Sequence, residues 1–144
     1  LCLIAGFTQF SKHIRSKFPK IHRWSGWLYV VSVLGLAAPS GFHMGIYANG
    51  GITSQIAFCT LGFLWFIFTI LAVRRAAQHD FASHRAWMIR SFALAMSAIT
   101  LRAWKFVLVA LFHPRPMDVY ILVAWLGWTL NLIVAEIIIR KIRQ

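Results

Sequence analysis

The groups of this chain that could do chemistry are six histidines and a few charged residues set inside apolar sequence. His22 and His84 each open an apolar stretch, and His43 and His113 each lie near the far end of one. His13 and His79 fall in polar connections, where solvation accounts for them. Two imidazoles on neighbouring helices are a common axial pair for haem in membrane electron carriers. Spacing limits that chemistry here. His22 to His43 is about 31 Å of helical rise and His84 to His113 about 43 Å, so two haems stacked within the hydrocarbon do not fit, and all four histidines belong at interfaces. The version that survives is one haem b near the inner membrane face, with its iron held by His22 and His84. Gly26, one turn above His22, leaves room for a ring, and Arg15, Arg23 or Arg85 could meet its propionates. The competing account is plain: interfacial histidines hydrogen-bonded to backbone or lipid.

The embedded charges pose a second problem. A charge near mid-bilayer costs from about 3 kcal/mol to several times that, so it normally faces other helices or trapped water. Arg90 lies about one turn into its helix from the inner side and Glu136 about one turn from the inner end of the last helix, so their depths match. An ion pair between them relieves both charges; a proton-transfer role for Glu136 is the alternative. Arg102 lies deeper, level with Asn131 on the antiparallel last helix, whose amide oxygen could accept from it. These four form the expected structural polar core. Lys105, nearer the outer surface, can snorkel.

At about 100° per residue, His84 and Arg102 share one azimuth, with Met88, Ser91, Ala95 and Ala98 close to that line. Small residues on such a strip admit a second helix or a flat ligand. Bulky Phe92, Ile99, Phe106 and Leu111 lie elsewhere, where they could meet lipid. The helix from Ser83 to His113, with Ser83 as its N-cap, therefore reads as the centre of a bundle with Arg90 and Arg102 pointing inward.

The elements that position these groups follow from composition. The 144-residue chain is 60% hydrophobic and 15% aromatic, with mean hydropathy +0.70, far more apolar than a soluble domain of this size. Runs near 20 residues span a hydrocarbon core about 30 Å thick. The fold class expected is all-α: a single polytopic transmembrane bundle over 1–144, with four complete spans at 24–47, 54–73, 86–112 and 118–139. Residues 1–11 read as the inner half of a preceding helix whose beginning is absent.

The net charge of +12 would suggest nucleic acid in a soluble protein. Here the basic residues flank apolar runs, which predicts orientation in the membrane and contact with anionic lipids on the inner face, not nucleic acid. By the positive-inside rule, loops 12–23 and 74–85 and the C-terminus are cytoplasmic, and 48–53 and 113–117 lie outside. Pro39 should kink the first span, Asn49-Gly50-Gly51 marks a turn, and Asp118 suits the positive end of the last helix. Trp24, Trp27 and Tyr29 suit an interface. Trp65, Phe66, Phe68, Trp125 and Trp128 could present surface to membrane-protein partners, with lipid as their default neighbour. Cys2 and Cys59 form no disulfide or zinc framework. His22-Arg23-Trp24 and His84-Arg85-Ala86-Trp87 each open an outward helix with a histidine near its end, which suggests a duplicated helix pair; basic and aromatic residues collecting at an inner interface explain the same pattern.

The chain resembles a bacterial multi-pass membrane family, domain of unknown function 2306. The resemblance rests on Gln9-Phe10, Arg15 through Pro19 to His22-Arg23-Trp24 with Gly26 and Tyr29, and His84-Arg85-Ala86-Trp87-Met88-Ile89-Arg90-Ser91. It continues through Thr100-Leu101-Arg102-Ala103-Trp104 and Asn131-Leu132-Ile133-Val134-Ala135-Glu136, and it covers almost the whole chain. It implies membrane residence and a helical fold, no settled activity, and more sequence before the first segment. Its motifs fall on His22, Arg23, His84, Arg85, Arg90, Arg102, Asn131 and Glu136.

No nucleophile and base pair, phosphate-binding glycine loop or metalloprotease motif is present. The expected function is therefore a non-enzymatic component of a larger membrane assembly. A small b-type electron carrier is the alternative, and small-solute transport past Arg102, with Gly35, Pro39 and Gly41 as helix breakers, is a further one.

Overall fold

A computed structural model describes residues 17–112 and 116–143, with Leu3, Ile4 and Gly6. The expected half-helix at 1–11 is represented by those three helical residues alone, and His13, Arg15 and His113 lie outside the described residues. The rest is helical: α1 (Pro19–Ser32), a π-helical turn (Val33–Ala37), α2 (Ala38–Ile46), α3 (Gly51–Ala77), α4 (Phe81–Phe112) and α5 (Pro116–Arg143). Among the described residues four spans are long and apolar enough to cross a membrane: Pro19–Ile46, Gly51–Ala77, Phe81–Leu111 and Asp118–Ile142. Each starts at or before its expected first residue. Proline at the first position of α1, where its missing N–H costs nothing, begins that helix five residues before Trp24.

Pro39 distorts the first span, but one turn earlier than its own position. Its ring displaces the backbone of the preceding turn and it offers no N–H. The chain answers with the widened turn Val33–Ala37, in which the Ala38 N–H reaches back to the Val33 carbonyl. At the first hairpin, Gly50 and Gly51 hold φ of 96° and 76°, a conformation open to glycine. A Cβ on Gly50 would also meet Ser54 Oγ at 2.6 Å and Tyr120 Cδ1 at 2.8 Å. Asp80, not Ser83, caps α4: its Oδ1 accepts the Ser83 N–H at 3.1 Å, and its Oδ2 lies 3.7 Å from Arg75 Nη1. Asp118 stands in the first turn of α5.

Consecutive spans run antiparallel, so Lys17, Lys20, Arg74, Arg75, Arg140 and Lys141 gather at one end, the basic end; Gly50 and Gly51 mark the other. Among the described residues α3 packs on α2, the π turn, α4 and α5, and α4 meets α1 through Tyr29 and Ser91 as well as α3 and α5, so the two middle spans share the centre of the bundle. Small residues let the backbones approach, since apolar burial alone gives helices no reason to associate in lipid. Gly45 lies against Cys59 and Gly62 against Phe42 across α2 and α3, and Gly127 against Leu101 across α4 and α5. One core cluster joins Tyr29, Val33, Ala38, Ala72 and Met88, and a second joins Ala86 and Ile89 to Ala135 and Ile139.

Candidate functional site: buried polar clusters and an exposed arginine

Among the described residues the largest polar cluster sits where α1, α3 and α4 meet, and its donors can be ordered. Thr69 Oγ1 donates to the Trp65 carbonyl at 2.8 Å, because a carbonyl only accepts. With its one proton committed, Thr69 must accept from Ser91 Oγ at 2.8 Å. Ser91 in turn accepts from Tyr29 Oη at 2.9 Å, and Tyr29 accepts from Trp65 Nε1 at 3.4 Å. The chain thus leaves residue 65 at the indole and returns to it at the carbonyl. Tyr29, Thr69 and Ser91 are all fully buried, where hydroxyls without partners would be costly.

Of this cluster, only Ser91 stands on the strip singled out from sequence. Tyr29, expected at an interface, has no exposed surface. Trp65 and Phe66, expected to face outward, pack on the core cluster; Trp128 is buried and packs at a tilt against Trp125, and Phe68 packs at a tilt against Trp87. A signal was present: Tyr29 lies seven residues after His22, as Ser91 does after His84, and seven residues return a helix to nearly the same face.

Between α4 and α5, Arg90 Nε donates to Glu136 Oε1 at 2.5 Å and Nη2 to Oε2 at 3.1 Å. This fork on a carboxylate is the strong form of an ion pair. The Arg90 guanidinium also lies 4.6 Å from the Trp87 ring centroid, a cation over an aromatic face. The Arg90 side chain is 19% exposed and that of Glu136 45%, so the pair opens to one side of the bundle.

Asn131 and Arg102 do not meet as expected. The Asn131 amide donates to the Ala93 carbonyl at 3.1 Å and to Thr100 Oγ1 at 2.8 Å, tying α5 to α4 without a charge. Arg102 is exposed, with Ala98, Ile99, Ala103, Lys105 and Phe106 around it. The azimuthal strip is buried from Met88 to Ala95 and uncovered beyond it. The physical reason is that α4 keeps α5 beside it here, through Leu101 against Gly127, while no other described helix covers its opposite face.

His84 Nδ1 lies 2.7 Å from the Ala72 carbonyl oxygen. A carbonyl only accepts, so Nδ1 is the donor, and in the neutral ring the lone pair then lies on Nε2. His22 is half-buried in the first turn of α1, Arg23 beside it is exposed and Arg85 is half-buried. His43 packs against Tyr47 at the glycine end, with the rings tilted by 59°. Among the described residues no group of three His, Cys, Asp or Glu side chains could hold a metal ion.

Comparison with known proteins carries the identity no further than the family. No curated protein and no solved structure matches the chain. The model of the DUF2306 family, described as a predicted membrane protein, matches residues 1–139. A chain of four membrane-length helices matched over that range belongs to the DUF2306 family of predicted membrane proteins.

Proposed function

We propose that this chain is a non-enzymatic component of a larger membrane assembly, inserted with its basic end toward the cytoplasm. The observation that carries this reading is the exposed Arg102 on a membrane-length helix. The chain has only three acidic residues, and none can neutralise it. Asp80 stands beside Arg75 in the loop at the basic end, and Glu136 holds Arg90. Asp118 lies two residues into α5, whereas Arg102 lies ten residues below the end of α4, a difference in depth of about 12 Å. A second copy brings the same three acids at the same depths, so a counter-group for Arg102 has to come from a helix outside these 144 residues, and on this reading that helix belongs to a neighbouring protein of the assembly. Ala98 and Ala103 beside Arg102 let that helix approach closely. Arg74, Arg75, Arg140 and Lys141 at the other end orient the bundle by the positive-inside rule.

The test compares the native chain with Arg102→Leu after mild detergent extraction, by native gel and mass analysis. The native chain should run with at least one other membrane protein, and the variant should run alone. A native chain that runs as a single copy or only with itself overturns the reading, as does an unchanged assembly in the variant.

A single-haem electron carrier is the second reading, favoured by one observation. His22 and His84 stand at equal distances from the bonded Tyr29 and Ser91 on parallel helices, and His84 presents the tautomer that ligates metals. Arg23 and Arg85 would meet the propionates, and the group would supply one-electron transfer. A Soret band lost in both His22→Ala and His84→Ala supports it; a folded, colourless protein prepared with haem supplied excludes it. Transport has less support, because Tyr29, Thr69 and Ser91 are bonded to one another across the bundle.

A further inference from the structure

The Arg90 and Glu136 pair opens into a groove of about 380 Å³ between α3, α4 and α5. Its lining changes character along its length. Phe68, Leu132, Ile133 and Ile137 make it apolar, and Arg90, Glu136 and Arg140 make it charged. On α5 these residues fall in the order Leu132, Ile133, Glu136, Ile137, Arg140, so the stripe climbs about 12 Å from mid-helix toward the basic end. The apolar part therefore lies deeper in the membrane and the cationic part nearer its surface.

We infer that this groove binds one anionic phospholipid, with its phosphate at Arg140 and Arg90 and one acyl chain along Ile137, Ile133 and Phe68. The gradient matches a lipid in its own leaflet: head group at the surface, hydrocarbon toward the midplane. Charge complementarity selects the anionic kind. Glu136 lines the groove too, but its carboxylate is held by Nε and Nη2 of Arg90, so the three groups together carry one positive charge. No ion pair of Arg140 is found among the described residues, and an exposed guanidinium near the membrane surface is a ready partner for phosphate. A free phosphate would use the arginines and leave the apolar wall unused; a zwitterionic lipid would use the wall and bring no net charge. The site is independent of the Arg102 face, so the two proposals fail separately.

The experiment uses the purified, delipidated full chain in detergent. Phosphatidylglycerol, phosphatidylcholine or inorganic phosphate is added, and lipid retention is read by native mass spectrometry beside thermal stability. Phosphatidylglycerol should be retained about five-fold better than phosphatidylcholine, the preference expected of about one interfacial arginine, and phosphate should not displace it. Arg140→Gln should remove the preference, and Arg74→Gln, at the same end but outside the groove, should keep it. Ile137→Trp, which fills the apolar wall, should reduce retention of phosphatidylglycerol, so the proposal stays testable if Arg140→Gln misfolds. Equal retention of both lipids by the native chain overturns the inference. So does equal loss in Arg140→Gln and Arg74→Gln, which marks a diffuse basic surface, or displacement by phosphate, which marks an anion site without a lipid.

Discussion

Tyr29 Oη and Ser91 Oγ meet at 2.9 Å across 62 residues of sequence, and that bond fixes the register of α1 against α4. Tyr29→Phe removes the acceptor for the Trp65 indole and the donor to Ser91 together. The expected loss is about 1 kcal/mol, the usual worth of such a bond, read as a lower melting temperature in detergent. Ser91→Ala should cost a similar amount. The double variant should cost less than the sum, because both changes break one chain.

The fork between Arg90 and Glu136 makes an asymmetric prediction. Glu136→Ala leaves a largely buried guanidinium without its carboxylate, and should cost about 2 kcal/mol, below the cost for a fully enclosed pair because Glu136 is part-exposed. Replacing both residues with leucine should recover most of that loss. Thermal unfolding of the three variants checks it.

Gly45 and Gly41 should respond in opposite ways to alanine. A Cβ at Gly45 would stand 2.9 Å from the Cys59 backbone nitrogen, whereas one at Gly41 meets nothing within 4 Å. Gly45→Ala should cost about 1–3 kcal/mol by forcing α2 from α3. Gly41→Ala should be neutral or slightly stabilising, since alanine favours helix over glycine. The same melting measurement separates them.

Orientation is open to a direct check. In a background with Cys2 and Cys59 replaced by serine, a membrane-impermeant maleimide should label Asn49→Cys in intact cells. It should label His79→Cys only after permeabilisation. The reverse pattern would invert the assignment of the basic end to the cytoplasm.

What could be read without coordinates follows the strength of each signal. Four spans and the glycine hairpin were legible because hydropathy and backbone freedom are local properties. The Arg90 and Glu136 contact was legible because antiparallel helices convert residue number into depth, and two opposite charges at one depth attract. The same depth rule brought Arg102 and Asn131 to one level and gave a wrong contact. Depth does not fix azimuth, and Asn131 had nearer partners in Thr100 and the Ala93 carbonyl. Trp65 and Tyr29 were misplaced for a related reason: an aromatic ring with a polar handle suits a membrane interface, and equally suits a core that offers its handle a partner. Ser83 stands beside the apolar run and so reads as the cap, but the helix begins two residues earlier at Phe81 and Asp80 caps it.

The ordered hydroxyls of Tyr29, Ser91 and Thr69 bear on what this interior can conduct. Proton hopping along a file of hydroxyls requires a source at one end that releases a proton and a sink at the other that takes it up. Along these four bonds the file runs from the Trp65 indole to the Trp65 carbonyl, and a peptide oxygen is a poor sink for a proton. It behaves as a latch: three helices are clasped by a ring of oriented dipoles that gains nothing by turning over.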